Sequence, residues 1–170
     1  LPWLFINLLT ACLAGTVVGV FQGTIKEFVV LAVFLPIIAS QGGNAGMQTV
    51  TVIIRDMALG ELSPGDGRKA LFKELLLGLL IGSIIGLVVG VVSYLIAPKF
   101  GVSAEMGAIL GLVVGAAMVL NLLAAALFGV LIPFALKFFR LDPALGSSIL
   151  ITTVTDVAGF FFLLALAKWI

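Results

Sequence analysis

The chain is a succession of long apolar runs separated by short polar breaks. Five runs are long enough to cross a bilayer core, which takes about 20 predominantly apolar residues as a helix. They cover roughly Leu4 to Phe21, Phe28 to Ile54, Leu75 to Ala97, Met106 to Leu136 and Leu145 to Ala167. None shows the alternation of a lipid-facing barrel strand. Each exceeds the apolar core of a signal peptide, about 7–15 residues. The pattern predicts an all-α, polytopic membrane protein with five transmembrane helices.

The breaks carry turn and cap signals. QGTIKE separates the first two runs and RDMALGELSPGDGRKALFKE the next two; PKFGVSAE and KFFRLDPALGS follow. Ser63 to Gly67 holds the Pro and Gly of a turn. Asp142-Pro143 predicts a helix start, with Asp capping and Pro in the first turn, where its missing N–H is no loss. Trp3 and Trp169 stand at the outer limits, as an interfacial aromatic belt predicts. Glycine recurs every four residues at Gly15, Gly19 and Gly23, at Gly78, Gly82, Gly86 and Gly90, and at Gly107, Gly111 and Gly115. Small residues at that spacing make flat stripes where helix backbones pack closely; static packing is the expectation, ahead of a sliding or gating surface.

Composition removes the soluble alternative. Hydrophobic residues make up 62% and charged residues 10%, against about 45–50% and roughly 25% in soluble domains. A net charge of +1 gives no reason to expect a nucleic-acid partner. There is no His and a single Cys, Cys12, so soft-metal sites, which need several such ligands, are not expected. Arg55, Arg68, Lys69, Lys73, Lys137 and Arg140 fall in the second and fourth breaks, and only Lys26, Lys99 and Lys168 lie on the other side. The positive-inside rule then places the amino end in the cytoplasm and the carboxyl end outside. The chain begins at Leu1, not Met, and residues 1–170 are expected to be the membrane domain of a longer protein in the cell's inner membrane.

Two polar features interrupt the apolar runs. Asp156 lies near the middle of the fifth run. A carboxylate at that depth costs about 2.5–3.5 kcal/mol even on insertion scales and marks function by default. Structural alternatives are an ion pair, for which no Lys or Arg lies at membrane depth, or a protonated Asp sharing a hydrogen bond. Ser148, Thr152 and Asp156 are four residues apart and form one oxygen-bearing stripe. In the second run ASQGGNAGMQT, residues 39–49, places Gln41, Asn44 and Gln48 on one stripe with Thr51. Facing lipid, these carboxamides would be unsatisfied, so they line something polar or serve as interhelical glue. Pro36 and Gly42-Gly43 are expected to weaken the helix there. Consecutive crossings are antiparallel, so both stripes fall in the cytoplasmic half of the membrane. Neutral oxygens with one carboxylate suit a hard ion that keeps its water, as Mg2+ does. One Asp per chain half-neutralises a divalent ion, and two chains about a twofold axis supply two. The expectation is a homodimer in the lipid bilayer with a central pore faced by both copies of Asp156.

LPWLFINLLTACLAG, LPIIASQGGNAGMQT followed by RDMALGEL, and LDPALGSSILITTVTDVAGFF resemble the membrane domain of the MgtE magnesium transporter family, related to solute carrier family 41. The resemblance covers essentially the whole chain. It implies five helices per chain, a homodimer, and an ion pathway at the dimer interface built from the second and fifth helices. It implies that Asp156 recognises a largely hydrated Mg2+, helped by the backbone carbonyl of Thr152 and by Asn44. Gly43, Gln48, Ser148 and Gly159 complete the expected pore lining; some members carry Asn where this chain has Ser148. The family's cytosolic regulatory domains are not among these residues. Mg2+ is the expected cargo, with Mn2+, Co2+ or another divalent ion as alternatives. A channel-like Mg2+ pathway leads over a secondary transporter coupled to Na+ or H+ and over a purely structural anchor. An enzyme is not expected, because there is no nucleophile–base pair and no second intramembrane carboxylate.

Overall fold

Cap and turn chemistry divides the chain into helices. The computed structural model describes residues 2–62 and 66–170, and no strand occurs among them. The helices are α1 (Pro2–Val20), α2 (Gln22–Glu27), α3 (Leu31–Ala58), α4 (Gly67–Ile96), α5 (Ala104–Phe138) and α6 (Pro143–Ala167), with one 3-10 turn at Ala97–Phe100. Asp142 caps α6, its Oδ1 accepting from the Ala144 N–H at 2.9 Å, with Pro143 in the first turn. Ser103 caps α5 by accepting from the Met106 N–H at 3.3 Å. Gly101, with φ 76°, makes the left-handed bend between α4 and α5 that a side chain would strain. Residues 63–65 of the expected turn and the side chain of Trp3 lie outside the described residues.

Two expectations need correction. QGTIKE, read as a break, is the helix α2. It contains no Pro, and the chain bends instead at Phe21 and Phe28 on either side of it. Pro36 and Gly42-Gly43, read as weak points, lie within an unbroken α3. Pro36 falls in the second turn, where one missing N–H removes one backbone bond, and packing on both sides keeps the rest helical.

Among the described residues three helical stretches are long and apolar enough to cross a membrane: Gly67–Phe100, Ala104–Phe138 and Gly146–Ala167. The apolar part of α1, Leu4–Val20, is shorter. At 28 residues α3 has the length, but Gln41, Asn44 and Gln48 hold down its hydropathy. The polarity that makes α3 interesting is what removes it from the count.

At the centre stands α5, packed against α3, α4 and α6, while α3 also packs on α6 and α1 lies against α6. The core of this assembly includes Phe34, Ile38, Leu110, Val114, Met118 and Leu163, all fully buried. The α4–α5 contact is glycine on glycine. A methyl on Gly90 would lie 2.7 Å from the Gly111 carbonyl oxygen, and one on Gly111 would lie 2.7 Å from the Gly90 carbonyl oxygen. Gly86 meets Gly115 the same way, so the two helices run antiparallel with their backbones touching. The stripe that runs from α1 into α2 behaves differently: Gly15, Gly19 and Gly23 have open space around them. Gly111→Val is therefore expected to destabilise by about 1–3 kcal/mol through overpacking, seen as a lower thermal unfolding midpoint in detergent, while Gly15→Val stays near the parent.

Candidate cation-binding groove

The glycines of residues 39–49 explain how α3 approaches its neighbours. Gly42 leaves room for the Asn121 side chain of α5; a methyl there would also lie 3.1 Å from Cβ of Thr155. Gly46 leaves room for Ile151 of α6, 2.5 Å from where its Cβ would stand. On α6, Gly159 leaves room for Asn121 and Ile38, at 2.8 and 2.9 Å. These pairings run Ile38 with Gly159, Gly42 with Thr155 and Gly46 with Ile151, so α3 and α6 are antiparallel and their polar stripes share one depth. Gly42 and Gly46 thus accommodate side chains of this chain, whereas Gly43 meets Thr152 and Thr155 only at 3.8 Å.

Asn121 is the residue sequence reasoning missed. It is fully buried, and its Nδ2 donates 2.9 Å to the Ile38 carbonyl. Its Oδ1 is buried without a partner, which is costly in an apolar interior. The signal was present: a lone carboxamide inside the apolar stretch VLNLLAAA.

With α3 and α6 locked this way, the sequence-selected residues form a groove. Ser40, Gly43 and Asn44, with Ala39 and Met47, face Thr152 and Asp156 across a cavity of about 220 Å³. Asp156 is half-buried. Among the described residues no Lys or Arg pairs with it; the 2.9 Å pair of Arg55 and Asp56 sits at the far end of α3. Thr152 directs its hydroxyl proton to the Ser148 and Ile149 carbonyls, at 2.9 and 3.1 Å. Its own carbonyl accepts from the Thr155 hydroxyl at 3.1 Å. What the groove offers outward is acceptor oxygen: the carboxylate, the Thr152 lone pairs and the Asn44 amide.

The remaining candidates lie around it. Gln48 joins Gln41, Asn44 and Thr51 in an adjoining hollow of about 650 Å³ on the exposed face of α3. Ser148 is exposed two turns before Asp156. Gly43 edges the groove, whereas Gly159 is buried against Asn121 and Ile38. Among the described residues no three His, Cys, Asp or Glu side chains converge, so a bare ion would find too few ligands in one chain. A second carboxylate does lie within the apolar span that starts at Gly67: Glu74, half-buried on α4. Reading KALFKE as loop had hidden it.

Residues 35–166 match the family MgtE, described as "Divalent cation transporter". "Magnesium transporter MgtE" of Thermus thermophilus is 34% identical over 98% of this chain and 35% of its own length. The protein of the same name from Bacillus subtilis is 29% identical over 98% of this chain and 35% of its own. The chain thus spans about a third of the length of these relatives. If Asn121 sets the α3–α6 geometry, Gly42→Ala should destabilise by about 1–3 kcal/mol through crowding. Gly43→Ala, whose methyl meets only contacts at 3.8 Å, should be nearly neutral. Adding Asn121→Ala to Gly42→Ala should give a less than additive loss, measured by thermal unfolding.

Proposed function

The chain belongs to the MgtE family of divalent cation transporters, and on that footing we propose that it conducts Mg2+ through a pore at the interface of a homodimer. Residues 1–170 form the ion-conducting membrane domain, with five crossings made by α1, α3, α4, α5 and α6. The amino end lies in the cytoplasm and the carboxyl end outside the inner membrane, following the distribution of basic residues. The observation that carries the reading is the groove itself. A half-buried carboxylate, with no basic partner among the described residues, lies beside Asn44 and Thr152 where two antiparallel helices meet, within the stretch Gly146–Ala167 that is long and apolar enough to cross a membrane.

The dimer follows from what one chain leaves unsatisfied. Gln41, Asn44, Gln48 and Ser148 are exposed, and lipid offers them no hydrogen bonds. A second copy across a water-filled axis does, and it brings a second Asp156. Two carboxylates match a divalent charge while the ion keeps several waters, in line with the reluctance of Mg2+ to dehydrate. Asp156 is the charge-recognising group, Thr152 supplies oxygen beside it, and Asn44 bonds the water shell. Gly43, Gln48 and Ser148 extend the lining, and Gly159 keeps α6 close to α3 beneath it. The chemistry is transport of an ion, with no bond made or broken in a substrate.

Asp156→Asn keeps the shape and removes the charge. In proteoliposomes of the complete protein it is expected to lower Mg2+ flux by roughly tenfold or more, where tenfold corresponds to about 1.4 kcal/mol. Asn44→Ala should reduce it by a few-fold. Parental flux in Asp156→Asn would remove the reading, and strict dependence on an imposed Na+ or H+ gradient would replace conduction with coupled transport.

A further inference from the structure

Hydroxyl groups on these helices mostly bond to their own backbone. Thr51 donates to Met47 O at 2.8 Å, Thr153 to Ile149 O at 2.6 Å and Thr155 to Ile151 O at 2.9 Å. Thr49 departs from this pattern. Its hydroxyl donates 3.0 Å to Oε2 of Glu74, across from α3 to α4. The departure is built in: a methyl on Gly129 of α5 would lie 2.8 Å from Thr49 Cβ, so the buried threonine is pressed from behind by α5.

Glu74 has the features of a cation ligand. It lies seven residues into α4, about 10 Å along the axis at 1.5 Å per residue, inside the span that begins at Gly67. No basic side chain pairs with it among the described residues; its neighbour Lys73 is exposed. Only its Oε2 is engaged, by Thr49. Gln48, Thr49 and Glu74, with Gly78, wall a cavity of about 250 Å³ between α3, α4 and α5. That exceeds the ~180 Å³ of six waters at ~30 Å³ each, the shell an octahedral divalent ion carries.

The cavity also connects. Asn44 lines both the Asp156 groove and the exposed hollow, and Gln48 lines both that hollow and the Glu74 cavity. Asn44 and Gln48 are thus shared polar walls between neighbouring hollows, and the Glu74 cavity is otherwise walled mainly by Ala45, Val52, Leu77, Ile81, Leu122 and Ala126. Asn44 to Thr49 is five residues, about 7.5 Å toward the carboxyl end of α3, which the proposed orientation puts at the cytoplasm.

We propose that Glu74 and Gln48 form a second cation-binding site, which holds a hydrated divalent ion at the cytoplasmic end of the pathway to Asp156. The inference rests on the Mg2+-conducting reading above. Thr49 orients the carboxylate and leaves its other oxygen for the water shell. A single carboxylate acting through water binds weakly, so the site concentrates ions without trapping them.

The test uses Mn2+ alone as the binding probe, followed by electron paramagnetic resonance of the complete protein. In the Asp156→Asn background, adding Glu74→Gln is expected to remove one weakly bound Mn2+ per chain. Adding Thr49→Val, which deletes the brace and keeps the carboxylate, should retain it. In flux measurements on otherwise parental protein, Glu74→Gln should raise the half-saturating Mg2+ concentration several-fold and leave the maximal rate near the parent. Unchanged Mn2+ binding and half-saturation in Glu74→Gln would overturn the site and leave Glu74 as an interhelical brace. Should Glu74→Gln fold poorly, Gln48→Leu in the same background decides: weaker Mn2+ binding supports the site and unchanged binding overturns it. Parental flux in Asp156→Asn bears on the transport reading only; the Mn2+ count bears on this site only.

Discussion

The side-chain amide of Asn121 is the constraint from which the site geometry follows. It is buried where α3, α5 and α6 meet, donates to the Ile38 carbonyl, and occupies space that Gly42 and Gly159 leave empty. A directional bond in an apolar interior has no water to exchange with, so sliding α3 against α5 would strand a donor. The two glycines add a steric condition, because only one register puts both beside the amide. That register sets Asn44 opposite Thr152 and Asp156. The groove is thus held by a residue that does not line it.

Around this joint the molecule divides by rigidity. On one side α4 and α5 meet backbone to backbone through Gly86, Gly90, Gly111 and Gly115, a contact with no side chains to rearrange. On the other, α3 presents carboxamides outward and α6 presents a carboxylate with no basic partner among the described residues. A membrane protein keeps such groups only where they meet water, an ion or another subunit. The rigid half serves as a frame; the polar half waits for what completes it. That division supports an ion path on the α3–α6 face, not at the α4–α5 seam, whose outward hollow is almost wholly apolar.

Much of this was legible from residue order. Helical class, the cap at Asp142 and the glycine stripes of α4 and α5 follow from periodicity; of the 41–51 stripe, Asn44 alone faces Thr152 and Asp156. Those inferences succeed because a helix must satisfy its own backbone in lipid, which leaves few arrangements. The failures share a cause as well. QGTIKE resembles a break because it is polar, yet nothing in it stops a helix. Glu74 was assigned to a loop because charge near a run's end resembles a boundary. The α1 stripe was expected to pack like the others, but spacing cannot say whether a neighbour is there.

Taken alone, then, residue order determined that the chain is helical and built for a membrane, which faces are polar, and that Asp156 is an unpaired acid at depth; all are local properties, readable from transfer energies and a 3.6-residue period. The tertiary structure alone decided that Asn121 pins α3, that Gly42 and Gly46 make room for side chains, and that Thr49 reaches Glu74. Those depend on which helices become neighbours and at what register. Such contacts join residues scores of positions apart, and no local pattern encodes them.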